Sequence, residues 1–442
     1  MFRHTALILI FSGLLISCST SSDTDNSLFT ECRNNTAEEY PCRNIGLYAV
    51  VTPQDLANPI GDGDSANQNY LNDIWGWTDP ETGREYALVG LNDGVTFVDV
   101  TEPSEPVVIG KLQEPESSQP AKYETALHHD EEDGLKGESA WRDIKVYENT
   151  MYVVSDNQPQ HGMQVFDLTQ LRDVENPPEI FEDDDDARYK LFGSAHNLAI
   201  NEETGFAYAV GIRSGEVCAE RGGLHMIDLN GAAPEFAGCY FDEEAGGRIQ
   251  DGYIHDTQCV IYQGPDEDYA GKEICFSSAE TVLLITDVDS KELTETISLA
   301  GYEGNSYAHQ GWLTEDHRYF FMNDELDEMQ NGHNTRTYVW DVQDLDDPQM
   351  IGFYQHNTTS IDHNLYIYND IMYQANYMAG LRVLDVSNRD PQSIREIGYF
   401  DTTPDQTKPG SKGLWSVYPW FSNNTVVVSD INNGLFILHV ER

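Results

Sequence analysis

The sequence predicts an all-β protein, a seven-bladed β-propeller closed by an N-terminal strand in the last blade. Three observations predict it. A short apolar run closing on aspartate recurs along the chain. A dipeptide whose second member is a hydrogen-bonding side chain recurs seven times in step with it. The last repeat runs out of chain at Arg442, while an unassigned strand, Ile45-Gly46-Leu47-Tyr48-Ala49-Val50-Val51, stands near the other end.

The apolar runs close on Asp99, Asp167, Asp228, Asp287, Asp341 and Asp385, and the seventh copy, Phe436-Ile437-Leu438-His439-Val440, carries His439 instead. A second run precedes each, such as residues 86–89, 151–154 or 425–428. After several of them a proline opens another, as in Pro106-Val107-Val108-Ile109 and Pro348-Gln349-Met350-Ile351. These segments are short, rich in β-branched and aromatic residues, and separated by Gly, Asn, Asp and Pro. None shows sustained helical periodicity. The first strands align at Asn72-Asp73, Arg142-Asp143, His196-Asn197, His255-Asp256, His309-Gln310, His363-Asn364 and Trp415-Ser416. Four short antiparallel strands in seven copies describe propeller blades. The strand at 45–51 then supplies the missing fourth strand of the last blade and removes an exposed edge. A chain of 442 residues has room for two or three domains, but the repeat argues for one, over residues 44–442.

The N-terminus predicts export. After Arg3 and His4, residues 5–16 are apolar apart from small residues. That run is too short to cross a bilayer and has the length of a signal-peptide core. Leu15-Ile16-Ser17-Cys18 has the form of a lipobox, in which the Cys18 thiol takes a lipid before cleavage. The plainer alternative is a secretory signal with an unrelated cysteine. Residues 1–18 are thus expected to be a lipoprotein signal and 19–43 a tether, with the protein lipid-anchored at the cell envelope, on the outer membrane or cell surface. Without Cys18, six cysteines remain, and 15 pairings are formally open. Their local spacing favours Cys32–Cys42, Cys218–Cys239 and Cys259–Cys275 as disulfides of an oxidising compartment. Pairing Tyr262 with Lys272 across a turn sets Cys259 opposite Cys275.

Acidic residues outnumber basic ones 76 to 25, for a formal charge of -51. Such a surface disfavours nucleic acid and anionic lipid headgroups and favours cations. Asp130-Glu131-Glu132-Asp133 and the run Asp183 to Asp186 are candidate calcium ligands, although neither has the spacing of a calcium loop and solvated acidic loops are common.

Several motifs resemble a known family. Asp73-Ile74-Trp75-Gly76-Trp77, Trp141-Arg142-Asp143-Ile144-Lys145-Val146, His309-Gln310-Gly311-Trp312-Leu313 and Asn323-Asp324-Glu325-Leu326-Asp327-Glu328 are similar to segments of the choice-of-anchor B family. Its members carry LVIVD-type propeller repeats, and the resemblance covers roughly residues 44 to 440. It implies a propeller displayed at the cell surface, with Leu15 to Cys18 as the lipoprotein form of anchor. It implies no reaction and supplies no catalytic residue.

The sharpest chemical pattern is His196, His255, His309 and His363 at one position of four successive blades. Innermost strands line a propeller channel, so four imidazoles at one depth suit a transition metal, with Asn197, Asp256, Gln310 and Asn364 orienting the rings. The competing reading is that a repeat copies a packing residue, and each histidine hydrogen-bonds the next blade. Asn72, Arg142 and Trp415 interrupt the ring, and a cationic Arg142 opposes a nearby metal. His128-His129 beside Asp130 is a second candidate cluster. No nucleophile elbow is present. Trp75, Trp77, Trp312, Trp415 and Trp420 lie at or near first strands, where they either stack on sugars or pack the core. The expected function is a monomeric binding or interaction module for a protein, glycan or ion. The alternative is a metal-dependent enzyme with its histidine site in the channel.

Overall fold

The structure is a computed structural model that describes residues 28–59, 70–115, 141–218, 222–404 and 409–441. Among the described residues seven blade sheets follow one another in chain order, with a small two-stranded sheet, Phe192–Ser194 and Ser214–Gly215, beside them. Blade 1 is built from Leu71–Thr78, Glu85–Leu91, Gly94–Asp99 and Val107–Gln113, innermost strand first. Blades 3 to 6 repeat this four-stranded order, beginning at Asn197–Asn201, Asp256–Ile261, Ala308–Leu313 and Asn364–Tyr368. Blade 7 consists of Leu414–Tyr418, Thr425–Asp430 and Gly434–Val440, and Ile45–Val51 is its outermost strand. Ile45 lies opposite Val440 and Val51 opposite Leu435, so the ends of the chain close the ring as the sequence predicts.

The recurring aspartate has a mechanical cause. Asp99, Asp167, Asp228, Asp287, Asp341 and Asp385 each accept a hydrogen bond from the backbone N–H two residues on, at 2.9–3.1 Å. This Asx turn redirects the chain out of the third strand. In blade 7 the outermost strand comes from the N-terminus, so no such turn follows Val440. His439 stands there instead, 3.0 Å from the Tyr48 hydroxyl of the closing strand and stacked on Phe29 at 4.2 Å.

Second strands are almost wholly buried, and every residue of Glu85–Leu91 and Glu273–Ala279 is buried. The core lies between neighbouring blades. Phe97 of blade 1 stacks on Phe166 of blade 2 at 5.0 Å, among Tyr86, Leu88, Ile144 and Val153. Cutting one such ring to alanine costs about 3–5 kcal/mol.

Two segments differ from the expected pattern. Blade 2 has three strands of its own, Arg142–Tyr147, Thr150–Ser155 and Gln164–Asp167. The chain then enters a 3-10 turn, Leu168–Asp173, whose Arg172 grips Asp79 through two nitrogens at 2.5 and 2.8 Å and Glu81 through a third at 2.6 Å. Held against blade 1, the next strand, Glu179–Phe181, pairs in parallel with Gly110 to Leu112. The tether is also shorter than expected. Thr36–Ala37 and Tyr40–Arg43 form a hairpin, and Cys42 pairs opposite Phe400 on the outer edge of blade 6. The predicted disulfides Cys32–Cys42, Cys218–Cys239 and Cys259–Cys275 are all formed, the last between directly opposed residues. Among the described residues no helix is long and apolar enough to cross a membrane. Cys18 and His128-His129 lie outside the described residues.

Candidate functional site in the central channel

The seven innermost strands bring the aligned repeat positions to the channel in layers. At the end where these strands begin, His196, His255, His309 and His363 form an arc of rings with centroids 4.4, 4.1 and 4.4 Å apart, and Trp415 extends it 4.4 Å beyond His363. The link between them is polar. The Nδ1 of His255 lies 2.8 Å from the backbone oxygen of His309, that of His309 lies 3.0 Å from the oxygen of His363, and that of His363 lies 2.7 Å from the oxygen of Trp415. A carbonyl oxygen only accepts, so each Nδ1 carries the hydrogen, and in a neutral ring the lone pair is then on Nε2. His196 sets its Nδ1 2.9 Å from Asp156, which Arg213 also approaches at 3.5 Å. Burial, reinforced by the neighbouring imidazoles, holds His255 and His309 well below the usual histidine range, so both are neutral.

Arg142 does not face these rings. Fully buried, it donates to the Leu91 carbonyl at 2.7 Å, to His161 at 2.9 Å and to Glu114 at 2.9 Å, binding blade 2 to blade 1. Nor do the residues following the histidines orient the rings. Successive side chains of a strand point to opposite faces, so these residues reach the next blade. Asp73 accepts from Ile144 N–H at 3.1 Å and Asp143 from Leu198 N–H at 2.5 Å. Asn197 donates to the His255 carbonyl, and Gln310 both accepts from and donates to the Leu365 backbone. Together they form a hydrogen-bonded belt within which Lys145 sits against Asp143 and lies 3.7 Å from Asp73. Burial alone would lower the Lys145 ammonium, but Asp143 and Asp73 outweigh it and keep it charged. Burial, followed by the like charge of Asp143, pushes Asp256 up to about 8.

Three positions after the aligned repeat position, and at Trp420 two further on, aromatic rings from four blades meet. Trp75, Trp312, Tyr366, Tyr418 and Trp420 contact one another at 5.0–6.2 Å, and the Lys145 ammonium lies 4.5 Å over Trp75. Trp77 leaves the channel and stacks on Tyr86 in the core. In the acidic run Asp183 to Asp186 two carboxylates pair with cations of the protein itself: Arg188 bonds Asp183 at 3.1 Å and Lys190 pairs with Asp185 at 2.8 Å.

One residue of the histidine end has no counterpart in the aligned pattern. Glu325 follows the second strand of blade 5, Tyr319–Asp324, and an antiparallel neighbour ends where the inner strand begins. Its Oε2 is 3.7 Å from His309 Nε2, and its Oε1 accepts from the Tyr377 hydroxyl at 2.8 Å. Behind it Asp327 and Glu328 are buried, and burial first, then like charge, pushes them up to about 7 and about 10.

The fold and channel define a β-propeller. No family model and no curated protein matches the chain. Among solved structures it resembles the β-propeller domain of Cps50 (Swd1) from Myceliophteria thermophila, at 9% identity and a TM-score of 0.48 over 85% of this chain and 98% of that one. It also resembles a protein from Lactobacillus plantarum, at 14% identity and a TM-score of 0.48 over 82% and 89% of the two chains.

Proposed function

We propose that the protein is an exported, lipid-anchored propeller of the choice-of-anchor B type that acts at the cell surface as an interaction module for a protein, glycan or ion. The observation that carries this reading is how the first strands use their polar groups. The belt Asp73, Asp143, Asn197 and Gln310 and the histidine Nδ1 atoms bond the neighbouring blades. The repeated polar pattern is thereby spent on building the ring, and recognition falls to its outward surfaces. Bulky apolar side chains stand exposed on outermost strands there, among them Val107, Phe236, Ile351 and Phe353. Three disulfides suit an oxidising compartment, and Leu15-Ile16-Ser17-Cys18 supports lipidation of Cys18.

The test is fractionation of cells producing the wild-type chain or Cys18→Ala, with protease added to intact cells. The wild type is expected in the membrane fraction, lipidated at its mature N-terminus and cleaved by external protease. Cys18→Ala is expected to lose the membrane fraction or to remain unprocessed. Membrane association unchanged by the substitution, with no lipid on the protein, contradicts the proposal.

A further inference from the structure

Of the four channel histidines, two share a carboxylate. His309, Glu325 and His363 each present one ligand atom, and those three atoms all lie within 4.8 Å of one another. His196 and His255 are outside this group, although they occupy the same repeat position and stack in the same arc. We propose that His309, Glu325 and His363 form a three-ligand site for a divalent first-row transition metal, at the channel end where the innermost strands begin.

Each ligand is prepared for that role by a contact on its far side. The His363 carbonyl takes the Nδ1 hydrogen of His309, and the Trp415 carbonyl takes that of His363. Both rings are thereby fixed in orientation and tautomer, with Nε2 as the donor atom, which is how metal-bound histidines are generally held. The Tyr377 hydroxyl occupies Oε1 of Glu325 at 2.8 Å and leaves Oε2 turned toward His309 Nε2 at 3.7 Å. Ligands about 2.0–2.2 Å from one ion stand roughly 3.0–3.6 Å apart, so closing on a metal requires only small movements.

The donor set selects the ion. Two imidazoles and one carboxylate suit manganese, iron, cobalt or zinc, whereas calcium and magnesium take oxygen ligands. Thiolate is absent from the set, and the six cysteines of the described chain are paired. Three protein ligands leave coordination positions open toward the channel, as in metal sites that exchange a bound ligand. The formal charge of -51 raises the local concentration of cations around the protein. Tyr377 acts as a positioning residue through Glu325. The site does not depend on the anchor, so its failure and the failure of the surface reading are separate outcomes.

The experiment is metal analysis of the full chain, stripped with a chelator and titrated separately with Mn²⁺, Fe²⁺ under anaerobic conditions, Co²⁺ and Zn²⁺. About one equivalent of at least one ion is expected to bind. Glu325→Gln keeps the side-chain volume and removes the charge, and with His309→Ala and His363→Ala it should abolish stoichiometric binding. Tyr377→Phe should weaken affinity about tenfold, as loss of a group supporting a ligand does. His196→Ala should retain the metal. Melting curves of Glu325→Gln and Tyr377→Phe in the stripped state, matching wild type, separate lost ligation from lost fold. The Co²⁺ form should show a visible d–d spectrum that Glu325→Gln lacks. Substoichiometric binding of all four ions by the wild type overturns the proposal. So does an equivalent that survives Glu325→Gln and His363→Ala, or one that disappears equally in His196→Ala.

Discussion

The two ends of the channel draw on partly shared strands, His309 and His363 standing three residues before Trp312 and Tyr366, and different forces hold them. At one end Trp75, Trp312, Tyr366, Tyr418 and Trp420 fill the space by ring-to-ring contact. At the other, the Nδ1 atoms of His255, His309 and His363 bond the backbone oxygens of His309, His363 and Trp415, and neutral His255 and His309 keep a lone pair on Nε2. Aromatic packing, here largely edge-to-face, fills space with ring carbons and presents no imidazole nitrogen. A hydrogen-bonded imidazole uses one nitrogen and keeps the other. One end is therefore a plug and the other a surface able to coordinate.

Substitutions in each layer sharpen this contrast. The largest effect is expected between the two ends, at Asp143→Ala. This change strips the Leu198 N–H of its acceptor and leaves the buried Lys145 ammonium without its nearest carboxylate. Breaking a buried pair from one side costs about 3–5 kcal/mol, which denaturant unfolding should register. Trp312→Ala at the plug should cost about 2–3 kcal/mol, below a fully buried tryptophan because the ring is partly exposed. It should leave metal binding unchanged. A plug substitution that abolished metal binding would show that the two ends are coupled.

A pH-dependent effect is expected of Asp256→Asn. Its carboxyl titrates near 8 when folded and near the ordinary aspartate value when unfolded. The unfolded state therefore ionises first, and wild-type stability is lost as pH rises from about 4 through 8. Asparagine cannot ionise, so the advantage of Asp256→Asn over wild type should grow across that window and level off above it. A difference in melting temperature that stays flat from pH 4 to 9 would contradict the shift. The smallest effect is expected at His255→Ala, about 1–2 kcal/mol for one lost link to the His309 carbonyl.

The ring was legible because each blade repeats its reasons. The closing aspartates mark turns, His439 marks the one blade that needs none, and the dipeptides mark the inner strands. What escaped depends on partners rather than on pattern. Glu179-Ile180-Phe181 reads as a strand, but its pairing with blade 1 follows from the grip of Arg172 on Asp79, a contact between residues far apart in sequence. The histidine arc was legible, whereas the roles first given to Asn197, Gln310 and Arg142 followed from adjacency to the site, and strand alternation turns such neighbours away from it. Glu325 was hidden among 76 acidic residues. Its one usable signal was position: it follows the second strand of the blade that carries His309, at the end where that histidine lies.

The claim on which both the ring and the proposed metal site rest is the tautomer of the channel histidines. Long-range ¹⁵N–¹H correlation spectra of protein labelled at histidine nitrogens, metal-free and near neutral pH, read it directly. His255 and His309, assigned by single substitutions, are expected to be neutral with the hydrogen on Nδ1 and an unprotonated Nε2, and His363 is expected to carry a hydrogen on Nδ1. Nε2–H tautomers at these positions, or imidazolium at His255 or His309, would contradict the interblade bonds or the lone pairs that the metal site requires.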